Sequence, residues 1–387
     1  LMNDISSVLK EFNLRDDAAY FYSECREVVS VPEKHVNAKG EGQLTFQSYF
    51  HNFPESVNSF FDDAMVVVVL HPQPATNGTL PDYNMIGYIH ANVIDFTSPD
   101  GQLHKGYYYN VLRLSEQTVN GESIYRRKRI FTTMFSILLD MVTLNDIHFV
   151  YASMGRENQA INDALKMNSE RNGKYYETFP MRTNTHVNLI IGSSKAASRL
   201  VDISQDRNAL KDYYKRITES KGSYVFNQLH NESNFLNLVK RITDSSPSSK
   251  VHMLTDKTGN MSAAGFTINW GDYMHLKLQN PKGLFKVIDS MKITDKILYP
   301  CLLVGDTSEV KQLIKGAAYK YRKEHGVHVS LLNAVEGDPH FQVKKSIIHD
   351  PYMYFVIYDR PETYEQMKHH SKDELGNIRL FIDTPML

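Results

Sequence analysis

Between Gly106 and Val142 the chain reads GYYYNVLRLSEQTVNGESIYRRKRIFTTMFSILLDMV. This stretch limits the possible folds more than any other. Tyr107 to Leu114 alternates like a strand with one buried face. After a loop come four consecutive cations, Arg126, Arg127, Lys128 and Arg129. A strongly apolar helix follows at once, with Ile130, Phe131, Met134, Phe135, Leu138 and Val142 at helical spacing. Strand, basic loop and helix N-terminus therefore meet in one place. A helix start offers unpaired N–H groups and the positive end of a dipole, and the cations add full charges. That combination suits a diphosphate-bearing ligand, although a solvated helix start looks the same in isolation.

The next segment narrows the choice. A second apolar strand, HFVYAS from His148 to Ser153, runs into GRENQAINDALKMNSERNGKYYETFPMR and then THVNLIIG. The order is strand, basic loop, helix, strand, Asn-x-Ala, short helix and two closing strands. It resembles the GNAT N-acetyltransferase superfamily. That resemblance implies an α/β (α+β) fold, with a CoA thioester held in the splay between the Tyr107–Leu114 and His148–Ser153 strands.

Backbone groups of Leu112, Arg113 and Leu114 would then pair with the pantetheine arm. Arg126 to Thr132, including Lys128, Arg129, Ile130 and Phe131, would meet the pyrophosphate. The family's loop motif carries glycines where this chain has Arg129 and Phe131, and glycine lets a backbone approach phosphate closely. Side-chain cations can partly replace those amide contacts. The family's Asn matches Asn158, with Ala160 behind it. Five residues on, where the family often has a Tyr acting as acid toward the leaving thiolate, stands Leu165. Tyr151 and Tyr176 are the substitutes considered for that acid. A phenol stays protonated at neutral pH without a charged partner.

Composition sets the remaining bounds. A chain of 387 residues has material for two or three domains. Its net charge of −1 gives no global field toward nucleic acid or a membrane. Two cysteines exclude a disulfide framework or Cys-rich zinc site and suit the cytoplasm. None of the 16 histidines falls in a zinc-type motif, so no metal is expected. The longest apolar run, AMVVVVL, is of strand length. The N-terminal LMNDISSVLKEF lacks a signal pattern. Walker, dinucleotide and Gly-x-Ser-x-Gly motifs are absent.

From Ser193 the sequence turns polar (SSKAASRLVDISQD) and reads as a linker. Beyond it the grammar repeats. Helices are expected from Asn208 to Thr218 and Glu232 to Thr243, with strands at Lys250–Thr255, Ala263–Trp270 and Ile297–Val304. A helix from Glu309 to His325, a strand Val327–Asn333, a short helix near Phe341 and strands Tyr352–Asp359 and Ile378–Asp383 complete it. The expectation is two tandem GNAT-like domains, 1–195 and 196–387, joined by face or edge contact. The second is degenerate, because its helix entry Gly305-Asp306-Thr307-Ser308-Glu309 carries acids and reads as N-capping.

Two functions fit. One is an acetyl-CoA- or acyl-CoA-dependent N-acyltransferase acting on a small-molecule or peptide amine. The other is a non-catalytic scaffold of the same fold that binds a partner.

Overall fold

The computed structural model describes residues 30–36, 43–50, 63–72, 83–97, 102–114, 118–119, 122–123, 130–155, 159–187, 192–221, 229, 231–279, 286–287, 290, 296–335 and 348–370. The first half contributes β1 (Ser30–Val36), β2 (Gln43–Phe50), β3 (Asp63–Pro72), β4 (Tyr83–Thr97), β5 (Leu103–Leu114) and the two-residue strands β6 (Thr118–Val119) and β7 (Glu122–Ser123). Then follow α1 (Ile130–Leu144), β8 (Phe149–Gly155), α2 (Gln159–Arg171) and β9 (Tyr175–Val187).

The second half has α3 (Ser194–Ala197), β10 (Leu200–Asp202), α4 (Arg207–Lys221), α5 (Glu232–Ser245), β11 (Lys250–Thr255), β12 (Met261–Asn269) and β13 (Met274–Gln279). It ends in β14 (Ile297–Gly305), α6 (Thr307–His325), β15 (Val329–Val335), β16 (Ile348–Tyr358) and α7 (Pro361–His370).

Eleven strands form one sheet in the order β10-β11-β12-β14-β15-β9-β16-β8-β5-β4-β3, and β1, β2 and β13 form a second, antiparallel sheet. The architecture is a mixed α/β one, as the alternation of strands and helices dictates. The halves do not meet at separate faces or edges, as the sequence suggested. Instead β16 from the second half lies between β8 and β9 of the first, and β9 lies between β15 and β16 of the second. The two closing strands expected after α2 are replaced by one strand, β9, and the place beside β8 is taken by β16.

Burial explains the exchange. Val150 and Ala152 on β8 and Phe355 and Ile357 on β16 share one apolar cluster beneath α1, with Met134, Phe135, Leu138, Leu139 and Val142. All nine are at most 1 % exposed. The opposite face carries Phe149, Tyr151, Val356 and Tyr358, which join the core under α4 and α5 around Tyr213, Phe235 and Val239. Leu332, in the core under α6, pairs with Asn184 of β9, which is eight residues from Tyr176 on the same unbroken strand register. Tyr176 packs on the α1 side. With side chains alternating at period two, α1 and α6 therefore cover the same face.

The polar stretch after Ser193 is ordered. Ser193 caps α3 by accepting from the Ala196 N–H at 3.1 Å. α3 lies close against α6, where a Cβ on Gly316 would sit 3.0 Å from the Ala196 backbone carbon. The sequence also predicts a helix over Asp17–Val29; this, the helix near Phe341 and the strand Ile378–Asp383 lie outside the described residues.

Candidate functional site

The cleft is set by where a parallel strand pair stops. β5 and β8 pair at Gly106↔Phe149, Tyr107↔Val150 and Tyr108↔Tyr151. β5 then continues to Leu114, bonded to β4, while β8 continues to Gly155, bonded to β16. Past Tyr108 and Tyr151 no ladder joins the two strands among the described residues, so their facing backbone edges open as a V. Leu112, Arg113 and Leu114 lie on its β5 edge, opposite Ile89, Tyr88 and Gly87 of β4.

One irregularity falls just above the apex. His90 pairs with Val111 and Ala91 with Tyr109, so Asn110 is an additional residue on β5. A bulge leaves its extra residue out of the ladder and turns the local backbone. Nothing in the sequence signals it.

The helix start lies at the mouth of the V. α1 ends at Leu144 beside the closed end, where the His148 N–H donates to Lys105 O at 2.8 Å. The Lys105 N–H returns a bond to His148 Nδ1 at 3.0 Å. Burial lowers the His148 pKa, and Arg360 adds to the effect against the opposing Asp146 and Asp359. The 15 residues of α1 span about 22 Å, roughly the rise of β5 from Lys105 to Leu112. The orphan N–H groups of Ile130, Phe131 and Thr132 therefore stand toward the open end of the V. Phe131 and Thr132 are half-buried, and the Phe131 ring stacks on Phe135 at 6.0 Å. Arg126, Arg127, Lys128, Arg129 and Asn158 lie outside the described residues.

Tyr151 and Tyr176 occupy opposite faces. Tyr151 is fully buried at the apex, its ring 4.9 Å from Tyr108. Tyr176 lies two strands from β8, in the row Tyr107–Val150–Ile357–Tyr176 at the closed end. Its hydroxyl donates to Asn162 Oδ1 of α2 at 2.5 Å, and its ring stacks on Phe355. Burial, with Asp163 nearby, raises its pKa far above the ordinary phenol value. Leu165 is a core residue under α1, fully buried.

The second half repeats the V. β14 and β15 pair only at Ile297↔Val329 and Leu298↔Ser330. β14 also bulges, with Leu302 and Leu303 together opposite Gly265. Here a sequence signal existed, since an isolated glycine in a strand pattern marks a bulge or close approach. The anion chemistry is different, however. Only Asp306 separates β14 from α6, whereas residues 115–129 separate β5 from α1. Asp306 holds the N-cap position without a side-chain cap bond, contrary to the capping expected. Instead Glu309 in the first turn accepts from Arg199 Nη2 and Ser262 Oγ, each at 2.9 Å. A carboxylate thus occupies the helix start.

Among the described residues no group of three His, Cys, Asp or Glu could hold a metal ion, and no helix is long and apolar enough to cross a membrane.

No protein-family model matches the sequence, and no curated protein does. Solved structures do match. A crystal structure of Saccharomyces cerevisiae N-myristoyltransferase with bound myristoyl-CoA overlaps with a TM-score of 0.52 at 10% identity, over 87% of this chain and 82% of that one. Another, with myristoyl-CoA and inhibitors, gives 0.51 at 11% identity over 87% and 79%. The chain shares the fold of those N-myristoyltransferase structures, with the strand-splay unit present twice.

Proposed function

We propose that this protein is an acyl-CoA-dependent N-acyltransferase that works in the first V and passes an acyl group to an amine of a small molecule or peptide. One observation carries the reading: two parallel strands part above Tyr108 and Tyr151, beside the Asn110 bulge and below the start of α1. The matched N-myristoyltransferase structures, solved with myristoyl-CoA, support it through their shared fold.

In this reading Arg126, Arg127, Lys128 and Arg129 hold the pyrophosphate together with the N–H groups of Ile130 to Thr132. Backbone groups of Leu112 to Leu114 pair with the pantetheine arm, and Asn158 contributes a further coenzyme contact. The amine attacks the thioester carbon and loses a proton as the C–N bond forms. The C–S bond breaks, and the departing thiolate takes up a proton. A backbone N–H released by the bulge stabilises the oxyanion. Fixed positioning supplies much of the remaining acceleration. Tyr151 stands nearer this chemistry than Tyr176, whose hydroxyl already donates to Asn162.

The test is calorimetric titration of acetyl-CoA into the full chain and into an Arg126→Ala, Arg127→Ala double variant. A charge-assisted contact to phosphate contributes about 1.5–3 kcal/mol. The double variant should therefore bind at least about tenfold more weakly. An unchanged Kd at low salt rules out the loop. Thiol release with a panel of amines then separates enzyme from scaffold: tight binding without turnover favours the scaffold.

A further inference from the structure

The apex of the first V is closed on both faces. On one, Tyr108 and Tyr151 are 2 % and 0 % exposed, with ring centroids 4.9 Å apart. Phe149 packs behind them, 6.3 Å from the Tyr151 ring. Gly106 is what admits that phenyl ring, since a Cβ there would overlap it. On the other face Tyr107 is 2 % exposed and Val150 is fully buried. The Tyr107 hydroxyl accepts from Asn145 Nδ2 at 2.8 Å, which fixes the ring.

This closure has a consequence for the acyl group, given the acyltransferase reading. The pyrophosphate end of the coenzyme belongs at the mouth, where α1 begins. The arm therefore enters along the strand edges with its thioester innermost, at the level of the Asn110 bulge. Only two residue steps, about 7 Å of strand, lead from that bulge to Tyr108. An acetyl group ends in that interval, whereas a longer chain meets the aromatic pair. We propose that Tyr108 and Tyr151, backed by Phe149, select short acyl groups, and that Tyr108 is the residue whose size sets the limit.

The experiment measures binding of CoA, acetyl-CoA and octanoyl-CoA to the full-length wild type and to Tyr108→Ala and Tyr108→Leu by calorimetry. The ratio of the two thioester affinities, taken within one preparation, is insensitive to a partly unfolded fraction. Wild type should prefer acetyl-CoA over octanoyl-CoA by at least tenfold. Tyr108→Ala should shrink or invert that preference by tenfold or more, with Tyr108→Leu intermediate. If the alanine variant does not fold, the leucine variant decides alone. Equal affinity of wild type for both thioesters overturns the gate, as does an unchanged ratio in a folded variant. In both cases the acyltransferase reading stands, because acyl-CoA still binds. If wild type binds none of the three ligands, that reading falls and takes the gate with it.

Discussion

His252 is the residue where burial has the clearest chemical consequence. It is 3 % exposed, with Nδ1 2.8 Å from Thr267 Oγ1 and the Tyr321 ring edge-on at 6.1 Å. Burial pushes its pKa down to about 4, Lys320 and Lys250 push the same way, and Asp202 opposes them. The fold therefore holds a neutral imidazole, while the unfolded chain binds a proton near pH 6.5. The unfolded state binds more protons below that value, so stability is intact above pH 6.5 and declines as pH falls toward 4. The full decline from this group is about 3 kcal/mol. Urea midpoints at pH 7, 5.5 and 4.5 should fall faster for wild type than for His252→Gln. Parallel curves would show that another group governs acid sensitivity.

At this scale the sequence was only half legible. Period-two alternation put Tyr151 and Tyr176 in strands but not on a face. The face depends on the neighbouring strand: Tyr108 beside Tyr151, Ile357 beside Tyr176. Leu165 was readable as a departure from the family's Tyr, and its place in the apolar core explains the leucine.

Elements were read better than residues because their signals are local. The strand at Lys250–Thr255 and the helices α1, α4, α5 and α6 follow from periodicity and lie close to their expected bounds. The segment after Ser193 was misread because polar composition resembles a linker. Its two alanines, Ala196 and Ala197, are what bury against α6. α7 was missed altogether, although Tyr364 anchors it by stacking on Tyr175 at 5.1 Å.

The turn into α6 gives a test at element scale. Gly305 has φ +117, and a Cβ there would lie 2.7 Å from Ser262 O and 2.9 Å from the Ala263 Cα. Gly305→Ala therefore meets both an unfavourable backbone region and a rigid neighbouring strand, and should destabilise by at least about 2 kcal/mol. The Arg199–Glu309 pair beside it is about one-third exposed, so Glu309→Ala should cost only about 1 kcal/mol. Chemical denaturation of both variants checks the order. A Gly305→Ala protein as stable as wild type would show that β12 yields.

The whole molecule is held by an exchange of strands that no local pattern announces. Repeated element order predicted two similar units, but alternation does not name a strand's neighbours. β16 gives seven pairings to β8 and eleven to β9. Its Phe355, Val356, Ile357 and Tyr358, each at most 1 % exposed, complete cores on both faces of the first half. Polar contacts seal the end of the strand. Thr143 Oγ1 donates to Asp359 Oδ1 at 2.9 Å, Lys174 pairs with Asp359, and Arg360 pairs with Asp146. β2 and β13 also join the halves through the small sheet.

Cutting the chain between residues 191 and 192 leaves α3 intact and tests the division proposed near residue 195. The first fragment would leave β8 and β9 without β16, and the second would leave β15 and β16 without β9. Unpaired, apolar strand edges aggregate. Each fragment should be insoluble or molten when expressed alone, whereas co-expression should give a one-to-one complex that unfolds cooperatively. Size-exclusion chromatography and thermal melts decide the matter. A monomeric first fragment with its own sharp transition would mean that the exchanged strand is dispensable, and that each half closes its sheet by itself.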